Sequence, residues 1–399
     1  MKLPLLDRPP MTRPATAPAW VRWVPAAAVP AVIAAGVLIG SIPARAGDPL
    51  PVKTPDEVLV LLGTHSTHTF SGTLKQTSDL GLPELPATGP TSGPASVGGA
   101  ASAIEFLTGE HTARVFMGGK DKARIQVVDR LAERDVIRRG SDVWFYSSRD
   151  NSAAHLTLPA HAQDLPLTDP ALPGPQPSES GDAPPVPPTP EELARKFLAA
   201  ADSSTAVFVG EDVQVAGRPA YNLVLEPRTA GTLVGKVDIA VDGENGMPLS
   251  VAVTARGAAE PAFTAGFTSL SLEAPDDALF TFVPPPGSTV EELQLRQPPH
   301  RPLSPAFPEG PAASLEDKAS PYLSGKGWET VVEIPADSGA GSSLGTALAQ
   351  NPVLSQAAVA VPGGRLLSTA LVNILLTDDG RVFAGMVPAD KLQAASSAP

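Results

Sequence analysis

The chain of 399 residues contains no cysteine. That excludes disulfide scaffolds, thiolate metal sites and thiolate nucleophiles, and with them lipid attachment through an N-terminal Cys. Aromatic residues are 5% of the chain, and positive charge is scarce: 29 Lys and Arg stand against 42 Asp and Glu, a net charge of −13. Nucleic acids and anionic membranes are met by clustered basic residues, so this balance argues against either as a partner. The one local basic patch, Arg130, Arg134, Arg138 and Arg139, is interrupted by Glu133 and Asp135 and reads as a solvated strand face. After the first 46 residues no segment is apolar enough to span a bilayer.

Catalytic motifs are equally sparse. There is no P-loop, dinucleotide fingerprint or zinc-binding spacing. Gly341-Ser342-Ser343-Leu344-Gly345 fits the nucleophile-turn pattern G-x-S-x-G, but that turn must follow a strand directly and its triad needs a later His. The last His is His300. His65 and His68 have a spacing that could share a metal, yet no third ligand is near, and a His at a helix C-terminus is favoured by the dipole alone. His111, His155, His161 and His300 are scattered, mostly in expected loops. Asp378-Asp379-Gly380 lacks the alternating oxygen ligands of a calcium loop and reads as a hairpin turn. The chain is therefore read as a non-enzyme with no cofactor and no metal.

What the sequence has in quantity is turn-forming residues, 46 Pro and 35 Gly, about a fifth of the chain. They concentrate at 81–102, 164–188, 296–311 and 336–343, which read as loops or linkers. At the N-terminus, Arg13 and Arg22 precede an apolar stretch over 23–42, and Ala44-Arg45-Ala46 has the small-x-small pattern of a signal-peptidase site. Residues 1–46 are read as a signal peptide or an uncleaved signal anchor, which places the rest outside the cytoplasm, secreted or tethered to the membrane.

Between the loops lie short runs with period-two alternation, the pattern of strands with one buried face. They fall at 69–76, 103–107, 112–117, 123–128, 133–138 and 142–147, then at 206–215, 220–226, 235–241, 249–255 and 262–272. Their hairpin spacing predicts an antiparallel meander. Two helices interrupt it, each opened by a capping box: Thr54-Pro55-Asp56-Glu57 and Thr189-Pro190-Glu191-Glu192. After a Pro-rich linker over 296–320, residues 321–399 read as a small α+β domain. It has a strand at 327–335, one or two short helices over 344–360, a long apolar strand at 366–377 and a return strand at 381–387. A core of that size is marginal alone, so docking on the main domain is expected.

The order of elements in the main block is a resemblance of its own. A capped helix over 54–65 leads into Phe70-Ser71-Gly72-Thr73-Leu74. Then come 123–128, Val143-Trp144-Phe145-Tyr146, the hairpin from Val241-Asp242-Gly243 to Met247-Pro248-Leu249, and the closing Phe280-Thr281-Phe282-Val283-Pro284-Pro285-Pro286-Gly287. Over residues 47–295 this resembles the LolA-like superfamily, the periplasmic lipoprotein carriers and RseB-like envelope proteins. Within that group the chain resembles an actinobacterial type with an extra C-terminal domain.

The resemblance implies a mainly β fold with α (α+β): a half-open antiparallel β-barrel closed by helices over an apolar cavity for acyl chains. The wall candidates are Leu74, Val115, Met117, Ile125, Val127, Val143 and Phe145, continued by Leu223, Leu225, Ile239, Val251 and Phe267. The lid candidates are Leu61, Leu62, Phe197 and Leu198. Strand faces of this composition are plain core in most proteins, and it is the resemblance that makes this one a ligand wall. The implied partners are lipid or lipoprotein acyl chains, with an envelope ABC transporter or a membrane-bound regulator as neighbour. The competing reading is an envelope scaffold, or an RseB-like regulator of an anti-sigma factor acting through protein contacts. The insertions at 81–102 and 164–188 and the added C-terminal domain depart from the compact carriers.

Overall fold

The computed structural model describes residues 50–82, 108–128, 133–159, 187–201, 203–293, 322–336, 344–345 and 352–397. The signal segment with Ala44 and Ala46, the four Pro- and Gly-rich segments almost entirely, the expected strand at 103–107, and Ser343 all lie outside these residues. So do Arg130, His161 and His300.

Leu50–Pro399 forms one compact unit. Helix α1 (Pro55–Thr64) comes first, then β1 (Thr69–Ser78), β2 (Gly109–Gly118), β3 (Lys122–Val128), β4 (Glu133–Arg139), β5 (Asp142–Ser147) and β6 (Ser152–Thr157). Helix α2 (Pro190–Ala200) precedes β7 (Thr205–Val209), β8 (Val213–Val215), β9 (Arg218–Pro227), β10 (Val234–Asp242), β11 (Pro248–Ala255), β12 (Pro261–Ser271) and β13 (Thr289–Leu293). These thirteen strands make one sheet in the order β13-β6-β5-β4-β3-β2-β1-β12-β11-β10-β9-β7, with β8 on β9. The ladder is antiparallel except where β13 joins β6 in parallel. Among the described residues its two ends are not hydrogen-bonded to each other, so the barrel stays open, as expected of a half-open form.

Both helix starts carry the full capping box: the Thr54 and Thr189 hydroxyls accept from the N–H of Glu57 and Glu192, whose carboxylates accept from the cap N–H. Pro at the first helical position gives up an N–H that no helical partner would take. The apolar sides of α1 and α2 then bury Val58, Leu62, Leu193, Ala194 and Phe197 against Leu223, Leu225, Val237, Ile239 and Val251 of the sheet. Each large side chain so buried contributes about 1.5–3 kcal/mol.

A second sheet follows: β14 (Tyr322–Ser324), β15 (Val331–Ile334), β16 (Ala358–Val361), β17 (Gly364–Ser368), β18 (Asn373–Thr377) and β19 (Val382–Gly385), ordered β14-β15-β19-β18-β17-β16. Helices α3 (Pro352–Ala357) and α4 (Ala389–Ser396) accompany it. It joins the first sheet through Trp328 and Leu371, which pack into the cluster beneath α1 and α2. Thr232 donates to the Met386 carbonyl at 2.7 Å, and Glu329 takes both Lys391 and Thr229.

Several sequence expectations are corrected. The single strand at 206–215 is two, because Gly210-Glu211-Asp212 leaves the ladder and β8 returns on β9. The long strand at 366–377 is a hairpin: the Thr369 hydroxyl accepts from the N–H of Leu371 and Val372, a side-chain turn that reverses the chain. Residues 327–329 form a 3-10 turn ahead of β15, and 358–361 is strand rather than helix. Strand β13 and helix α4 carry no strong period or cap in the sequence, which does not predict them.

Candidate ligand wall and lid

Strand register fixes which side chains share a face, since directly paired residues point the same way. Leu74 pairs with Ala113 and with Phe267. Val115 pairs with Ile125, Ile125 with Val136, and Val136 with Phe145. In the other direction Ala265 pairs with Val251, Val251 with Ile239, and Ile239 with Leu223. Counting in steps of two from these pairs, all twelve wall candidates lie on one face of the sheet. All are buried except Met117, which is partly buried.

The four lid candidates are on α1 and α2. Leu62 and Phe197 are buried, and Leu61 and Leu198 are partly buried against the same cluster. The contacts of α1 and α2 run to β7, β9 and β11, so the lid sits over the β7–β11 half of the face. There Leu223, Leu225, Ile239 and Val251 share one buried cluster with the helix side chains Val58, Leu62, Leu193 and Phe197. Leu74, Val115, Ile125, Val127 and Phe267 form a second cluster, and Val143 and Phe145 a third with Val136 and Leu156.

The two helices are held at both ends of their cluster. Gly246, at φ +77°, brings its backbone against α1: a Cβ there would collide with the Leu61 carbonyl oxygen. That glycine closes the Asp242–Met247 turn, where Asp242 accepts from the N–H of Glu244 and Asn245 at 2.9 and 3.1 Å and forms an ion pair with Arg218. Burial alone would raise the Asp242 carboxyl. The Arg218 bond and the two backbone donors outweigh it and hold the group below its ordinary value. At the other end, Phe197 of α2 stacks on Trp328 at 6.0 Å between ring centroids. The Trp328 Nε1–H donates to Thr205 Oγ1 at 2.8 Å.

The basic patch departs from expectation. Arg134 and Arg138 are buried, 5% and 0% exposed, on the same inward face as Val136. Period two explains it: in β4 residues 134, 136 and 138 face one way while Asp135, Ile137 and Arg139 face the other. Arg138 Nε donates to the Gly140 carbonyl at 3.1 Å. On the outer face Arg124 pairs with Asp135 at 2.6 Å, and burial raises the Asp135 carboxyl against that pull.

Two histidines expected in loops are in strands. His111 in β2 is bonded to the Thr108 carbonyl at 3.0 Å. His155 in β6 stacks on Trp144 and lies between Asp142 at 3.1 Å and Glu292 at 2.9 Å. His65 Nδ1 meets the Leu62 carbonyl at 2.6 Å, a local helix-end contact. Among the described residues no group of three or more His, Asp or Glu could hold a metal, and no helix is long and apolar enough to cross a membrane. A groove of about 240 Å³ lies on the outer face, lined by Lys75, Thr77, Ser250, Ala252 and Thr264 among others. Its lining mixes these with Val215, Val251 and Phe267, and it is smaller than the roughly 300–1,000 Å³ of ordinary ligand pockets.

No family model matches the chain, and no curated protein matches it. Among solved structures it is similar to the MucA/MucB complex of Pseudomonas aeruginosa, at 14% identity, 85% of this chain, 96% of that chain and a TM-score of 0.40. It is similar to an uncharacterized conserved protein from Thermus thermophilus, at 10% identity, 59% of this chain, 98% of that one and a TM-score of 0.31. A LolA superfamily protein from Nitrosomonas europaea is similar at 10% identity, 58% of this chain, 99% of that one and a TM-score of 0.22. At these TM-scores the likeness transfers no function, which has to come from the chain's own geometry.

Proposed function

We propose that this is an extracytoplasmic binding protein that holds the acyl part of a lipid or lipoprotein on the inner face of its open sheet, as carrier or as sensor. The observation that supports it is the placing of twelve apolar strand residues on one face of the sheet, with two amphipathic helices over half of it. Its mechanism is differential binding without chemistry. Each methylene buried contributes about 0.8 kcal/mol, the same gain that holds it in a bilayer, so the face has to bury most of an acyl chain to draw it transiently out of the membrane. The helix-packed β7–β11 half has to open for a ligand, whereas the β1–β6 half carries wall residues beyond the reach of the lid contacts. Release would come from a membrane partner, a transporter for a carrier or a membrane-bound regulator for a sensor.

A second reading, a regulator or scaffold acting through protein contacts alone, is favoured by the dense packing under α1 and α2. Strand β14, at the end of the second sheet among the described residues, exposes Tyr322 and Leu323 as contacts for a partner. Native mass spectrometry of the purified chain, followed by lipid extraction, separates the two. The proposal expects a discrete co-purifying mass that is lost on delipidation and restored by added lipid. A mass unchanged under lipid challenge refutes lipid binding and leaves the protein-contact reading.

A further inference from the structure

On the outer face, His155 of β6 meets a carboxylate at each ring nitrogen. Its Nε2 stands 3.1 Å from an Asp142 oxygen of β5, and its Nδ1 stands 2.9 Å from a Glu292 oxygen of β13. The ring lies against Trp144, with 4.4 Å between centroids and 26° between planes, which fixes the plane in which both contacts are made. A neutral imidazole has one N–H and one lone pair, and a lone pair aimed at a carboxylate repels it. Only the imidazolium donates on both sides, so this contact pattern belongs to the protonated ring. The charge beside Asp142 on β4 is Arg139, its partner in register, which Asp277 takes at 2.8 Å.

Strand β13 has little else to hold it. It is five residues long, and among the described residues it pairs with β6 alone. Leu293 is its one buried residue. Its start is tied by the Thr289 N–H to the Asn151 carbonyl at 3.1 Å, and the Glu292 carboxylate ties its far end. An element that buries so little opens at the low end of a protein's local stability.

We infer that His155 is a pH-sensitive clasp on β13. Protonated, it holds Glu292 and keeps β13 on β6; on losing its proton it lets the Glu292 end of the strand go. Histidine changes charge between about pH 5 and pH 8, a range over which ordinary carboxylates and arginines keep theirs. The clasp is therefore closed on the acid side and opens as pH rises. Leu293, next to Glu292, packs with Val143, Phe145 and Leu156 on the inner face, so opening loosens the cover at that end of the wall. The inference does not depend on the acyl-binding reading. Asp142 and Glu292 are 52% and 72% exposed, so solvent screens their charge and the expected change in the opening of β13 is about twofold to fivefold.

The test is amide hydrogen exchange of the full chain at about pH 5.5 and about pH 8, corrected for the intrinsic rate at each pH. Residues 289–293 are expected to exchange about twofold to fivefold faster, after correction, at the higher pH, while 237–241 of β10 do not change. His155→Gln is expected to abolish the difference and leave 289–293 at the faster rate at both pH values. Glu292→Gln, an exposed change that keeps the size of the side chain, is expected to do the same should His155→Gln not fold. Equal protection of 289–293 in the wild type at both pH values overturns the clasp. So does a pH dependence that persists in either variant, or one that β10 shares.

Discussion

Replacing Trp328 tests how firmly the second sheet holds the lid. The side chain is 1% exposed, stacks on Phe197 of α2 with an interplanar angle of 21°, and donates its indole N–H to Thr205. Truncation to Ala removes a buried aromatic of this size at a cost of about 3–5 kcal/mol, cavity included. Of that, roughly 1 kcal/mol is the hydrogen bond. Trp328→Phe keeps most of the stacking and loses the N–H, so its cost is about 1–2 kcal/mol. Urea unfolding followed by far-ultraviolet circular dichroism gives the two values. Hydrogen exchange over 190–200 gives the local consequence, a faster exchange of α2 in Trp328→Ala. A cost under about 1 kcal/mol for the Ala variant, or α2 protection unchanged while 327–334 loosens, would refute the linkage between lid and second sheet.

Gly246→Ala pairs a left-handed backbone, a cost of about 1–2 kcal/mol, with a contact on the Leu61 carbonyl that the backbone must yield to. Gly257→Ala, at φ +82° with nothing within 4 Å of the new Cβ, isolates the strain. Thermal melts should show Gly246→Ala the worse of the two, and equal melts would mean that α1 does not press on the turn. Because Asp242 is held below its unfolded value, the stability it adds is complete above about pH 4 and is lost as pH falls through the lower folded value. Asp242→Asn should flatten that part of the acid-stability curve, measured by denaturant midpoints from about pH 5 down to about pH 2. Thr189→Ala should cost about 1 kcal/mol by the same unfolding assay, through loss of the cap on Glu192 N–H.

How much of this is legible in the sequence depends on whether the determinant is local. The caps at Thr54 and Thr189 are four-residue signals with a direct hydrogen-bond meaning, and both helices begin where the boxes place them. Period two locates most strands, because one face is buried along the whole meander. It fails where the chain turns inside an apolar run. Leu366 to Thr377 reads as one long, mostly apolar run, and the Thr369 side-chain turn splits it. Strand β13 is invisible because its residues alternate weakly and its place is fixed by a parallel partner far away in sequence. The arginines mislead for another reason. Charge suggests solvent, whereas the same alternation that buries Val136 assigns residues 134 and 138 to its face. Tested with the period, the patch divides, with 134 and 138 inward and 139 outward, and that signal is present in the sequence.

The two halves of the inner face meet at β12. Phe267 belongs to the cluster with Leu74 and Val127, while Ala265, two residues back on the same face, belongs to the one holding Val58, Leu62, Phe197 and Trp328. Gly72 lets this junction close: a Cβ there would stand 2.9 Å from the Phe267 ring and 2.6 Å from the Ser269 carbonyl. Interiors packed at crystal density pass displacement to their neighbours instead of absorbing it. A chain that stays short of Phe267 therefore leaves the lid cluster in place, which suits a carrier that needs an outside partner for release. A chain long enough to move Phe267 presses on Ala265 and, through the shared cluster, on Trp328 and the second sheet, which is the requirement for a sensor. For the acyl ligand proposed above, the length of the chain would then decide between the two roles.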